Sequence, residues 1–377
     1  MSPNMRRFLP LALAIAAVPA LGAQSVFDSE LRLAPTFLQY QIKSPSNETI
    51  SELTIPAFVS IPFGASFTMD VGTAFAKARV SNGTTVSEIS GLTDTQVRGS
   101  LTLGSDAVVI TAGVSLPTGR SSVTLDQLTA AGRIGNDFLA FPISNMGTGL
   151  AATGGIAVAQ PFGDWNVGFA GAVRKSQEYD PFSIPGQTLH FTPGNEFRVR
   201  AGADRTLNSG RFSLALTYSA FGKDEAGGSV YSTGNRIIAQ TVITNKILDN
   251  DVTLAAYNVF RQPGHYASGD PAGRENIANA YLGIGLRMFG TTVEPSIEGR
   301  HWLQNVVAAT GSTTPDRSQY SALGTIGLRT RIEGAGLSAF PSIGYTFGQL
   351  ATLDALNTPT HAVFTGFRGQ LAIRIAQ

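Results

Sequence analysis

Three features of the sequence predict an all-β chain: a transmembrane antiparallel up-and-down β-barrel of about sixteen strands. Only 14% of the 377 residues are charged, against roughly 25% in an average soluble domain. The apolar fraction is an ordinary 43% and mean hydropathy is +0.09, yet no stretch is apolar enough for a helical span. Apolar residues must therefore be interleaved with small polar ones, as in a membrane barrel.

The N-terminus supplies an export address. Arg6 and Arg7 form a basic n-region, residues 8–18 an apolar core, and Pro19, Ala20, Leu21, Gly22 and Ala23 a small-residue cleavage site. Eleven apolar residues fall short of the ~20 that cross a bilayer as a helix. Residues 1–23 read as a signal peptide and 24–377 as one barrel domain destined for the outer membrane of a Gram-negative bacterium.

Period-2 alternation then runs through the chain. RFSLALTYSAF at 211–221 sets Phe212, Leu214, Leu216, Tyr218 and Ala220 on one face and Ser213, Ala215, Thr217 and Ser219 on the other. At 195–204, Phe197, Val199, Ala201 and Ala203 oppose Glu196, Arg198, Arg200 and Asp204. Sixteen such segments fall at 30–42, 50–62, 66–80, 89–103, 107–117, 147–161, 165–176, 195–206, 211–222, 235–247, 252–263, 276–289, 292–304, 318–333, 336–349 and 361–376. Alternation is blurred at 235–247 and 252–263, so fourteen strands is the alternative count. Short turns such as Phe162-Gly163-Asp164 and Asn208-Ser209-Gly210 alternate with long connections at 118–146, 177–194, 223–234, 264–275, 305–317 and 350–360, and shorter ones at 43–49 and 81–88. That rhythm places both termini on the periplasmic side. Two aromatic girdles are expected: Phe63, Phe67, Phe162, Trp165, Phe289 and Phe347 by short turns, and Tyr40, Tyr218, Phe260 and Trp302 by long loops.

Residues 91–174 carry three short motifs: GLTDT at 91–95, LPTG at 116–119 and MGTG at 146–149, followed by the Gly163-Asp164-Trp165 turn. Their order resembles the phenol meta-pathway transporter family of outer-membrane proteins, relatives of the long-chain fatty-acid (FadL-like) transporters. The resemblance implies passive uptake of small apolar or aromatic compounds.

Alternation also assigns a lumen wall. Asp94, Arg98, Glu196, Arg198, Arg200, Asp204, Arg287, Glu294, Glu298, Arg300, Arg329, Arg331, Arg368 and Arg374 are expected to point inward, because a charge facing lipid at the midplane costs about 2–4 kcal/mol. Such a wall makes either an anion-attracting pore or an internal ion-pair brace. A general or anion-preferring porin is therefore the alternative function, and a non-transporting surface barrel the second. In the loop 118–146, Thr124-Leu125-Asp126-Gln127 fits a capping box that starts a short helix to Ala131. The run Phe138, Leu139, Ala140, Phe141, Pro142, Ile143 is expected to fold over or into the barrel mouth. Its Phe138, Leu139, Phe141 and Ile143 would offer substrate an apolar landing site.

Other chemistries find little support. The absence of Cys removes disulfide and thiol chemistry, and a net charge of +1 without a basic run gives no footprint for nucleic acid. His190, His265, His301 and His361 sit in no recognisable acid–base setting, and His301 follows the outward parity of Ile297. No ligand spacing suggests a metal. The chain reads as a non-enzyme without cofactor, and as a monomer whose partners are membrane lipid, the barrel-assembly machinery and small apolar or aromatic solutes.

Overall fold

Alternation becomes structure in a closed antiparallel sheet. The computed structural model describes residues 30–43, 47–104, 107–186, 188–266, 268–288, 290–307, 316–334, 336–353 and 359–376; the expected signal peptide, 1–23, and Phe289 lie outside them. The strands are β1 (Glu30–Leu33 continued by Thr36–Ile42), β2 (Glu48–Phe63), β3 (Phe67–Asn82), β4 (Thr85–Leu92 and Thr95–Leu103), β5 (Val108–Leu116), β6 (Ala151–Phe162), β7 (Trp165–Ser176) and β8 (Glu196–Leu207). They continue with β9 (Gly210–Phe221), β10 (Arg236–Ile247), β11 (Asn250–Arg261), β12 (Glu275–Met288), β13 (Thr291–Val306), β14 (Arg317–Gly334), β15 (Leu337–Leu353) and β16 (Pro359–Ala376). Sequential neighbours pair throughout, and β1 closes the ring on β16, with Glu30 opposite Ala376 and Ile42 opposite Phe364. Closure leaves no strand edge open to lipid, where backbone donors and acceptors would have no partner.

The two segments of blurred alternation, β10 and β11, pair along their whole length, which settles the count at sixteen. Exposure identifies the faces. On β2, Leu53 and Ile55 are each 40% exposed, whereas Ile50, Glu52 and Thr54 are at most 1%. Outward rows such as Ile156, Phe169, Phe197, Leu216, Ile297 and Ile326 make an exposed apolar band. Glu30, Ala376 and most of the short turns share one rim; the longer loops and the turn between β3 and β4 share the other.

Four local expectations are corrected. Residues 81–82 and 85–88 are strand rather than loop: β3 and β4 meet in a two-residue turn with Gly83 at φ +58°, a backbone that disfavours a Cβ. Residues 147–150 are loop rather than strand, and β6 begins at Ala151. Tyr40 and Trp302 point inward, Tyr40 being 5% exposed, so they belong to no girdle. Phe347, opposite Thr365 on β16, lies towards the long-loop end of β15 rather than by its short turn.

One irregularity matters for the site. Leu92 on β4 lies opposite Phe75, but Gln96 lies opposite Gly72. Thr93 and Asp94 therefore insert one extra residue as a β-bulge, which re-aims the chain.

Candidate functional site

The loop between β5 and β6 folds into the barrel. Thr124 donates its N–H to Gln127 Oε1 at 3.2 Å, a 3-10 turn covers Leu125–Gln127, and α1 runs over Leu128–Ile134, three residues beyond the expected end. Ala130 and Ile134 on α1, then Phe138, Leu139, Phe141 and Met146, are all at most 5% exposed. They pack on inward residues at the long-loop end: Leu38, Tyr40 and Ile42 of β1, Ile50 of β2, Ala76, Ala78 and Val80 of β3, Ile89 of β4, and Leu323, Leu350, Ala362 and Phe364 of β14–β16. Phe138 stacks on Trp302 at 5.9 Å, and Tyr40 meets Phe141 edge-on at 5.5 Å.

The apolar run thus enters the mouth, but not as a landing site. Its rings are consumed by packing against the wall, with Phe138 fully buried, Leu139 1% exposed and Ile143 packed against the same cluster. Burial of three apolar side chains is worth about 1.5–3 kcal/mol each, so the wall, not a solute, is their partner. Polar bonds fix the same pose. Arg133 pairs with Glu48 of β2 at 2.7 Å, Arg261 of β11 reaches Asp137 at 3.2 Å, and Arg300 Nη1 donates to the Phe138 carbonyl at 2.8 Å. Tyr40 donates to the Leu139 carbonyl at 3.1 Å.

All three motifs at 91–149 converge on the root of this loop. The Asp94 carboxylate, placed by the bulge, accepts the Gly119 N–H at 3.1 Å and the Thr148 N–H at 2.6 Å, tying the two ends of the loop together. A Cβ on Gly119 would lie 2.2 Å from the Met146 carbonyl oxygen, and one on Gly147 would lie 2.9 Å from the Arg120 carbonyl carbon. Only glycine allows that crossing. Asp94, expected as a lumen-lining charge, is 7% exposed and acts as the clamp.

The other wall residues share the inward face, and most are paired along the wall. Arg98 meets Asp70 at 2.5 Å, Arg198 meets Glu196 at 2.6 Å, and Asp204 meets Arg211 at 3.0 Å. Glu294 takes Arg329 at 2.5 Å and the Tyr281 hydroxyl at 2.6 Å; Glu298 takes Arg300 at 2.9 Å. Arg374 meets Glu30 at 2.7 Å, and Arg331 pairs with Glu333 at the short-turn rim. Arg200 donates to Gln240 Oε1 at 3.3 Å. Arg287 and Arg368 make no ion pair among the described residues. These ion pairs join the same or adjacent strands, and the Arg200–Gln240 bond skips only β9, so they brace the wall without spanning the lumen.

The sequence reading missed several members of the site. Glu48 and Glu52 share the inward parity of Ile50, a signal available in principle; Arg236 shares that of Gln240. Arg236 lies over the Phe221 ring at 5.9 Å, and its Nε is buried without a partner. Glu52 accepts the Ile143 N–H at 3.2 Å.

Outside the lumen, loop residues form a small cap in which Tyr179 meets Phe191 edge-on and Phe191 stacks on Tyr231. Burial pushes the Tyr231 phenol up to about 12, with Asp224 and Tyr179 adding to the rise, and burial likewise raises Tyr179. Asp224 accepts the Gly194 N–H at 2.8 Å and the Thr233 hydroxyl at 2.8 Å. The cap touches the pore loop where Val123 bridges Phe182. His190 sits beside Asp180 at 2.8 Å. His301 and His361 face outward and flank Tyr320, at 6.1 and 4.6 Å.

No family model and no curated protein matches the sequence. Among solved structures, an outer-membrane channel from Pseudomonas putida F1 is 11% identical over 96% of this chain and 100% of that one, with a TM-score of 0.39. An anion-selective porin from Comamonas acidovorans is 13% identical over 93% and 99%, TM-score 0.43. OprD of Pseudomonas aeruginosa is 9% identical over 94% and 97%, TM-score 0.44. Likeness at this level adds nothing to the barrel that the strand register defines.

Proposed function

We propose that this protein is an outer-membrane diffusion channel, narrowed at its mouth by the loop 117–150, that favours small anionic solutes. The observation that carries this reading is the unequal distribution of charge around the lumen. The pore loop packs on the inward face of β1–β4 and β13–β16 and reaches β11 through Asp137. By register, inward positions of β11–β16 and β1–β4 hold ten basic and ten acidic residues, a balanced set. Those of β5–β10, where the loop meets a cation only through Arg174, which donates to Thr148 Oγ1 at 3.4 Å, hold six basic residues (Arg174, Arg198, Arg200, Arg211, Arg236, Lys246) and two acidic ones (Glu196, Asp204).

Beside these cations the wall is made of small side chains: Thr111, Gly113 and Ser115 on β5, Thr153 and Gly155 on β6, Ala170 and Ala172 on β7. Small residues leave space and fixed positive charge fills it with anions, because charged linings set pore selectivity. The test is reversal potential across a planar bilayer with a salt gradient. Anion preference supports the reading, and cation preference or a silent, demonstrably inserted protein overturns it. Uptake of small apolar or aromatic compounds, implied by the motifs at 91–149, is the alternative reading; the packing of Phe138, Leu139 and Phe141 on the wall counts against it. The place of the protein in a family of such transporters rests on those short motifs alone.

A further inference from the structure

The most anomalous side chain of the described residues lies under the pore loop. Glu52 is 1% exposed. Its register neighbours on either side are Leu38 of β1 and Ala78 of β3. Oε1 accepts the Ile143 N–H, but Oε2 is buried without any partner. The Thr54 hydroxyl, two residues on along the same face and wholly buried, is also unpartnered. Buried polar groups are almost always hydrogen-bonded, and an unpaired exception needs a reason.

We propose that Glu52 is a proton-operated latch, whose loss of a proton unseats the segment 138–146 and widens the channel. An ionised carboxylate sealed there would have one N–H donor and no adjacent cation, in a wall of aliphatic side chains, and burying an unpaired charge is strongly unfavourable. A protonated carboxyl fits the same pocket without that penalty. Seated loop and ionised Glu52 are therefore mutually destabilising, and linkage makes the coupling reciprocal. Raising pH favours release; lowering it favours closure.

The charged and titratable groups around this seat are few. Glu48 on β2 is held by Arg133 of α1. Tyr40 on β1 is bonded to Leu139. Arg368 of β16 lies in the same row, with Leu38 between it and Glu52. On the far side, Arg300 is paired with Glu298, and Asp137 with Arg261. β3 presents only Ala76, Ala78 and Val80 there.

The channel reading enters only through conductance, so a second readout keeps the two separate. The chain has two Trp residues, and Trp302 stacks on Phe138 of the seated loop. In the Trp165→Phe protein, tryptophan emission therefore reports seating even if no ion passes. Between about pH 5 and 9, a range that brackets ordinary and buried carboxyls, emission is expected to move to the red and conductance to rise severalfold. Glu52→Gln, which keeps an acceptor for Ile143 but cannot ionise, should stay seated and narrow throughout. Glu48→Gln should keep the alkaline response. Emission that ignores pH in the parent, or an unchanged response in Glu52→Gln, overturns the latch; a normal emission response with no conductance overturns the channel reading alone.

Discussion

The lumen of this barrel has two sectors built on the same alternating strands. On β1–β4 and β13–β16, inward positions near the mouth are apolar, Leu38, Ile42, Ile50, Val80 and Phe364 among them, and charges across the sector balance. On β5–β9, inward positions are mostly Thr, Ser, Gly and Ala interrupted by arginine, β10 adds Arg236 and Lys246 beside Ile238 and Val242, and positive charge is in excess. The outward faces of both are apolar. An aqueous lumen requires a polar inner face only where water touches it. Where a loop docks, the inner face reads like a soluble protein's core, and the buried ring contacts of Phe138, Tyr40 and Phe141 follow.

The contrast between the sectors can be broken most sharply from the open side. Arg198→Glu with Arg200→Glu leaves that wall with as many acidic as basic residues, and the anion preference read as a reversal potential under a salt gradient should be lost. Retention of anion preference in that variant would falsify the assignment of selectivity to β8. Next in size is the covered side. Phe138→Ala removes a fully buried ring and should cost about 3–5 kcal/mol of loop packing. The barrel should still form, with larger conductance and a red shift of Trp302 emission.

Asp94→Ala withdraws the acceptor of two loop-root amides, a loss of about 1–3 kcal/mol for each group left unsatisfied. Faster proteolysis within 117–150 and noisier current are expected, with Asp94→Asn intermediate because it keeps one acceptor. The smallest effect is at the short-turn rim. Arg331 and Glu333 are both more than half exposed, and an exposed pair contributes about 0–1 kcal/mol. Arg331→Gln should leave current, selectivity and thermal stability unchanged; a measurable change in selectivity would place the constriction at the wrong end.

Much of this was written locally. Sixteen segments could be counted because side-chain alternation is a period-2 property of each strand, visible in RFSLALTYSAF without knowing its neighbours. Turn glycines marked most of the short-turn rim, though Gly83 concealed a tight hairpin because Asn82-Gly83 is flanked by polar strand ends. The paired charges of β13 and β14 were legible for the same reason: inward parity puts Glu294 opposite Arg329.

The seat of the loop was not legible. Sequence determined that residues 138–143 are apolar and that Tyr40 alternates with Gln39 and Gln41, while Trp302 and Phe364 each have one apolar neighbour, Leu303 and Val363. It did not say that these rings meet. Tyr40 and Leu139 are 99 residues apart, and Arg300 and Phe138 are 162 apart. Parity names the face of a strand but not what covers that face. Only closure of β1 on β16, which brings Ile42 beside Phe364, creates the apolar concavity that the loop fills and leaves the arginines of β8–β10 beyond its reach.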